Sequence, residues 1–234
     1  MPRPPELVLL DLDGTLVDSV PDLADCVNEA LRAAGLPPRA EGEVRRWVGN
    51  GVVRLLHRAL TGTMEGEAPA GLFEPARERF WACYRERYAC RSRPFPGVQE
   101  GLAALHRAGI PLGCVTNKPA AFTRPLLEAL GLAPWLQVVV AGDETAHQKP
   151  HPEPLLEAAR RAGARPGASL LVGDSVNDVE AARAAGMPVV AVSYGYNHGR
   201  DIREARPDAV VDSLAELPAL LGLAGPAGAA SASP

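Results

Sequence analysis

The chain has 234 residues, enough for one large α/β domain or a core domain with a smaller companion. An apolar share of 47% can fill a proper core, and a net charge of −4 without any basic block argues against a nucleic-acid surface. No apolar run approaches the roughly 18 residues of a membrane span, and Met1-Pro2-Arg3-Pro4-Pro5 is followed too briefly by apolar residues for a signal peptide, so a cytoplasmic location is expected.

The first predicted element is the strand Leu7-Val8-Leu9-Leu10, a short aliphatic run opening into the loop Asp11-Leu12-Asp13-Gly14-Thr15. A helical block follows. Val20, Leu23, Val27, Leu31 and Ala34 recur at helical spacing up to Gly35 and Pro37-Pro38. A second helix carries Trp47, Val48, Leu55, Leu56, Ala59 and Leu60 and is interrupted at Gly49-Asn50-Gly51. A Gly/Pro-rich loop spans 61–71, and a third helix over 72–88 bears an aromatic stripe of Phe73, Phe80, Tyr84 and Tyr88, read as bundle core.

From Pro96-Gly97 helix and strand alternate. Helices are expected over 98–107, 120–130, 154–161 and 179–185, and strands over 112–116, 137–140, 169–173 and 189–192. Ala209-Val210-Val211 reads as a last strand before a terminal helix. Continuous apolar strands separated by helices imply a parallel sheet covered on both faces. The predicted fold is therefore α/β: a Rossmann-like parallel core from residues 1–15 and 93–223, with an inserted all-helical cap over 16–92. The Ala/Gly/Ser/Pro tail, 224–234, is expected to be disordered.

Four polar clusters fall just past predicted strands: Asp11 with Asp13, Thr116-Asn117-Lys118, Lys149 in Lys149-Pro150-His151-Pro152, and Gly173-Asp174-Ser175-Val176-Asn177-Asp178. Open α/β sheets bind ligands at that edge, so the four can converge. Carboxylates at i and i+2 of an extended segment point to one side, and two like charges held so close cost about 4 kcal/mol at an effective dielectric near 20. A cation, a shared proton or both must offset that cost, a combination suited to phosphoryl transfer. Asp178 also fits a capping box with Ser175, and Asn117 fits equally well as a cap for the helix beginning near Pro119.

Of the 24 basic residues only Lys118 and Lys149 are lysines, and both lie in loops after strands. His147 and His151 flank Lys149 and read as exposed loop residues. Cys26, Cys83, Cys90 and Cys114 show no zinc spacing and read as reduced, buried thiols.

In these motifs the chain resembles the haloacid dehalogenase-like phosphohydrolases. Asp11-Leu12-Asp13-Gly14-Thr15-Leu16-Val17-Asp18-Ser19, Val115-Thr116-Asn117-Lys118-Pro119, Lys149-Pro150-His151-Pro152 and Gly173-Asp174-Ser175-Val176-Asn177-Asp178 carry the resemblance. Trp47-Val48-Gly49-Asn50-Gly51 and Tyr194-Gly195-Tyr196-Asn197 narrow it to the branch that hydrolyses 2-phosphoglycolate.

The resemblance implies that Asp11 is the nucleophile forming an aspartyl-phosphate, and that Asp13 is the general acid and then base. Thr116 binds the phosphoryl oxygens with help from the adjacent Asn117 amide, and Lys149 neutralises charge. It implies Mg²⁺ held by Asp11, by Asp13 through its backbone carbonyl, and by Asp174, with Asp178 orienting the shell. An all-oxygen donor set suits that ion. The helical insertion is expected to close over the substrate, with backbone amides of Gly49-Asn50-Gly51 meeting a substrate carboxylate. The expected partner is a small phosphate ester, with no nucleic acid and no membrane, in a monomer or homodimer. Rival activities within the resemblance are a sugar-phosphate mutase and a pyrophosphatase. A receiver-type phospho-accepting signalling domain is the rival from another class. Dehalogenases lack a carboxylate two residues after the nucleophile, so Asp13 argues against one. Phosphonoacetaldehyde hydrolases need a cap lysine, and residues 16–92 contain none.

Overall fold

The computed structural model describes residues 4–223. Strand β1 (Leu7–Leu10) is buried at every position and central in the sheet. The chain then makes the short strand β2 (Val17–Asp18) and four helices, α1 (Val20–Ala33), α2 (Glu41–Trp47), α3 (Gly51–Thr61) and α4 (Ala70–Arg87). It returns through β3 (Arg93–Pro94) and runs as α5 (Val98–Arg107), β4 (Leu112–Val115), α6 (Ala120–Ala129), β5 (Val138–Val140) and α7 (Glu153–Ala162). The last elements are β6 (Ser169–Gly173), α8 (Val176–Ala185), β7 (Val189–Val192), β8 (Ala209–Val211) and the single-turn α9 (Leu217–Leu220).

The main sheet has the order β5-β4-β1-β6-β7-β8, with every pairing parallel. Leu7 and Leu9 belong to the apolar cluster on one face, with Leu155, Val179 and Ala182. Val8 and Leu10 belong to the cluster on the other, with Leu102, Leu105 and Leu126. Alternate β1 residues point to opposite faces, so a strand covered on both sides must be apolar throughout. The expected Rossmann-like core is present.

Helices α1–α4 build a third cluster around Val27, Leu56, Phe80 and Tyr84. Its two chain crossings lie side by side, because β2 pairs antiparallel with β3 through Val17–Pro94 and Asp18–Arg93. Two-residue strands carry no periodicity to read, and the sequence shows no sign of this pairing. Among the described residues no helix is long and apolar enough to cross a membrane. The tail expected to be disordered, 224–234, lies outside the described residues.

One expectation is corrected. The thiols are not uniformly buried: Cys90 is exposed and Cys83 half-buried, because the chain leaves α4 before Cys90 and passes over the surface. Cys26 on α1 and Cys83 on α4 bring their Sγ atoms to 2.6 Å.

Candidate active site

All parallel strands present their carboxyl ends at one edge, and the predicted clusters meet there. Asp11 and Asp13 follow β1, Thr116-Asn117-Lys118 follows β4, Lys149 comes from the loop after β5, and Asp174 to Asp178 spans the β6–α8 turn. Their neighbours in the sheet are β4-β1-β6, so residues far apart in sequence become adjacent.

Lys149 is the hub. Its Nζ lies 2.8 Å from Asp11 Oδ1 and 2.7 Å from Asp178 Oδ1, and it donates to the Val115 carbonyl at 2.8 Å. The ammonium is buried, and burial alone pulls its pKa down. The charges of Asp11 and Asp178 outweigh that cost and hold it above its ordinary value. Asp178 Oδ2 accepts from the Ser175 hydroxyl at 2.7 Å and the Ser175 N–H at 3.1 Å. One carboxylate therefore starts α8 and pairs with Lys149.

Asp174 lies between two glycines. A Cβ on Gly14 would stand 2.4 Å from Asp174 Oδ2, and one on Gly195 would stand 2.1 Å from Asp174 Cβ. Gly14 also takes φ +95°, a region side chains disfavour. Asp174 accepts from the Thr15 hydroxyl at 3.2 Å and the Tyr196 N–H at 2.7 Å.

Carboxylate oxygens of Asp11, Asp174 and Asp178 all lie within 4.8 Å of one another. Burial pushes the Asp11 carboxyl up to about 7, against the pull of Lys149. Burial pushes Asp174 well above the ordinary range, and the charges of Asp178 and Asp11 push it further. Three buried carboxylates around one ammonium leave excess negative charge. An all-oxygen, electron-rich donor set of this kind fits a hard divalent cation.

Asp13 takes a different partner. Both its carboxylate oxygens accept from Lys118 Nζ, Oδ1 at 3.1 Å and Oδ2 at 3.0 Å. The sequence marked Lys118 as a rare lysine within the Thr116-Asn117-Lys118 cluster but assigned it no role. Thr116 is buried beside the cavity, its hydroxyl accepting from the Lys118 N–H at 3.2 Å. Asn117 caps no helix: Asp143 accepts from Ala120 N–H at the start of α6. The Asn117 side chain instead binds the Lys149 backbone and, more weakly, the Gly49 carbonyl at 3.4 Å.

Helices α1–α4 roof the site. A cavity of about 60 Å³, partly open to solvent, is lined by Asp11, Asp13, Thr116 and Lys149 below and by Leu23, Trp81 and Tyr84 above. Sequence reading assigned Tyr84 wholly to bundle core, yet it reaches this space. The Gly49-Asn50-Gly51 turn also touches the core. The Gly49 carbonyl faces the core and accepts from Asn177 Nδ2 at 3.1 Å, and Asn50 Nδ2 lies 3.5 Å from Asn177 Oδ1. These contacts link the roof to the core at the β6–α8 turn. His147 and His151 are exposed as expected, and Glu153 joins them, 2.8 Å from His147 Nδ1.

Two carboxylates two residues apart, a buried lysine and an acidic cluster thus meet at the carboxyl edge of a doubly wound sheet, the arrangement of a hydrolase of recognisable type. The chain belongs to the haloacid dehalogenase-like hydrolase family, whose profile matches residues 5–186. Members of that family use a divalent metal, and Asp11, Asp174 and Asp178 form a cluster that could bind one. More particularly, the chain is 51% identical over 224 residues to phosphoglycolate phosphatase of Nitrosococcus oceani, covering 96% of this chain and all of that protein. It is 45% identical to phosphoglycolate phosphatase of Salmonella typhimurium over 92% of each chain. The crystal structure of a predicted phosphoglycolate phosphatase from Haemophilus somnus superimposes with a TM-score of 0.86 at 38% identity, covering 92% of this chain and 97% of that one.

Proposed function

We propose that this chain hydrolyses 2-phosphoglycolate to glycolate and phosphate through a phosphorylated Asp11. The observation that carries the reading is the buried contact of Asp11 with Lys149 at the mouth of the central strand, two residues before Asp13. Relatives bearing that activity in their names match nearly the whole chain, which supports the substrate.

Asp11 attacks phosphorus through a carboxylate oxygen, and the bond from phosphorus to the ester oxygen breaks. Asp13 gives its proton to the departing oxygen, then takes one from the water that hydrolyses the acyl phosphate. Lys149 and the Thr116 hydroxyl bind the phosphoryl oxygens, whose charge grows in the transition state. Asn117 serves by keeping Lys149 in place. Mg²⁺ would be held by Asp11, Asp174 and the Asp13 carbonyl, with Asp178 orienting the shell, and it supplies charge neutralisation between nucleophile and phosphate. Residues 16–92 act as the cap that excludes bulk water and large leaving groups. With this function go a cytoplasmic location and a monomer or homodimer.

The test is a Mg²⁺-dependent substrate panel combined with Asp11→Asn. The expected result is that 2-phosphoglycolate ranks above pyrophosphate and hexose phosphates and that the variant is inert. A variant that turns over as fast as the parent overturns the nucleophile. A panel led by hexose phosphates or pyrophosphate overturns the substrate but keeps the phosphoryl chemistry. Family membership sets aside the signalling-domain rival.

A further inference from the structure

Tyr84 stands on α4 within an aromatic wall, 5.4 Å from Phe80 and 5.0 Å from Phe122 between ring centroids. Its buried hydroxyl lies next to the Lys118 ammonium and, among the described residues, is the one buried side-chain nitrogen or oxygen without a well-aligned hydrogen bond. A poorly satisfied buried hydroxyl destabilises the fold, so such a group calls for an explanation. Burial pushes the phenol up to about 12, which keeps its proton in place as a donor at neutral pH.

Lys118 Nζ lies 5.2 Å from the centroid of the same ring and is buried. An ammonium carries three donors, and Asp13 is its one ion-pair partner among the described residues. Lys149, across the cavity, already shows one ammonium shared between two carboxylates. Lys118 has the same capacity and only half the load. Both Lys118 and Tyr84 line the cavity that contains Asp11 and Asp13.

Position favours the same assignment. Asp13 must reach the ester oxygen of the substrate, and the carboxylate of 2-phosphoglycolate lies one methylene from that oxygen. A cation bonded to Asp13 therefore stands beside the place where the carboxylate must fall. The cavity of about 60 Å³ is small, which suits a leaving group as small as glycolate.

We propose that Lys118 and Tyr84 form the subsite for the substrate carboxylate, the ammonium supplying charge and the phenol a hydrogen bond. This rests on the reading of the substrate as 2-phosphoglycolate. Neither residue is part of the phosphoryl-binding set, and together they present a second buried ammonium and a poorly satisfied hydroxyl beside Asp13.

The test compares kcat/KM for 2-phosphoglycolate with kcat/KM for ethyl phosphate, in which a methyl group replaces the carboxylate. The native chain, Lys118→Met and Tyr84→Phe are measured with Mg²⁺ present. The preference for 2-phosphoglycolate is expected to fall about tenfold to a hundredfold in Lys118→Met and several-fold in Tyr84→Phe, the scale of a lost charge-assisted or neutral hydrogen bond. Lys118→Met also disturbs Asp13 and slows both substrates, so the ratio is the readout. Tyr84→Phe keeps the ring and its packing, and remains decisive should Lys118→Met fold poorly. A native preference retained in Tyr84→Phe and in folded Lys118→Met overturns the subsite alone. A native chain that does not prefer 2-phosphoglycolate to ethyl phosphate overturns the substrate reading, and the subsite with it.

Discussion

The Asn117 side chain holds the Lys149 backbone at both polar groups: its Oδ1 accepts from the Lys149 N–H at 2.9 Å, and its Nδ2 donates to the Lys149 carbonyl at 2.9 Å. The amide matches a backbone peptide in donor and acceptor, and so ties the β4 loop to the β5 loop. The ammonium that meets Asp11 is aimed by this clamp. Asn117→Ala is expected to reduce kcat about tenfold to a hundredfold, the penalty for a catalytic group displaced by about 1 Å. KM should change much less, since the phosphoryl-binding groups remain. Asn117→Asp should be worse than Ala, because an acceptor would then face the Lys149 carbonyl. Steady-state kinetics with 2-phosphoglycolate decide it, and a pure KM effect would contradict the clamp.

Lys149 itself separates Asp11 from Asp178, with both contacts buried. Removing one partner of a buried ion pair costs about 3–5 kcal/mol, because the remaining charge is uncompensated. Here two carboxylates would be left. Lys149→Met should therefore lose activity and also stability in the absence of metal, by an amount visible in urea denaturation. The deficit should shrink as Mg²⁺ is added, because the cation takes over part of the lost neutralisation. Equal stability of variant and parent without metal would contradict the burial argument.

Much of this site was legible in the chain. The strands β1, β4 and β6 are aliphatic runs stopped by polar clusters, so topology alone sends Asp11, Thr116 and Asp174 to one edge. Asp178 starts α8, as its capping-box spacing suggests, and also pairs with Lys149, a contact no local pattern announces. Lys118 was visible as a rare lysine in a strand-end cluster, but its role was not, because an ion pair to Asp13 across 105 residues leaves no local pattern. Tyr84 was hidden in an aromatic stripe, where its hydroxyl counts for nothing in a hydrophobic periodicity. Gly195 sat within a quoted motif, yet its reason is the absence of room beside Asp174, which no one-dimensional reading contains.

That absence of room makes a prediction. Gly195→Ala would place a methyl 2.1 Å from Asp174 Cβ, so the Asp174 carboxylate or the Tyr196 turn must shift. Gly14→Ala would meet Asp174 Oδ2 at 2.4 Å and also force φ +95° on a residue with a side chain. Both variants should bind Mg²⁺ more weakly, by about tenfold or more as for disturbed positioning around a ligand. Calorimetric titration of Mg²⁺ checks this. Gly109→Ala is the control, since it shares a positive φ of +75° but has nothing within 4 Å of its Cβ. It should lose some stability and keep its metal affinity.

The last prediction concerns pH. Asp11 is raised to about 7 in the folded chain by burial, and Asp174 is raised in the same direction. A carboxyl with a raised folded pKa holds its proton between its unfolded value, near 4, and its folded one. Its contribution to stability is greatest below the unfolded value and is lost as pH rises through about 7, because the folded state must then carry a buried charge. A divalent cation reverses that penalty, since it binds the ionised form and displaces the proton. The rise in Tm caused by Mg²⁺ should therefore be small near pH 5 and large near pH 8. At about 100 times Kd the ion adds about 2.7 kcal/mol, or roughly 5–10 °C for a chain of this size. Surface carboxylates such as Glu6 and Asp208, whose pKa values are lowered by arginines, titrate alike with and without metal and cancel in the difference. Thermal melts at both pH values, with and without Mg²⁺, check the effect. Proton release measured by titration in buffers of different ionisation enthalpy should accompany it near pH 6.5 and diminish once the pH passes the value of about 7 for Asp11. An equal Tm rise at both pH values, with no proton release, would mean that Asp11 and Asp174 are already ionised in the metal-free chain.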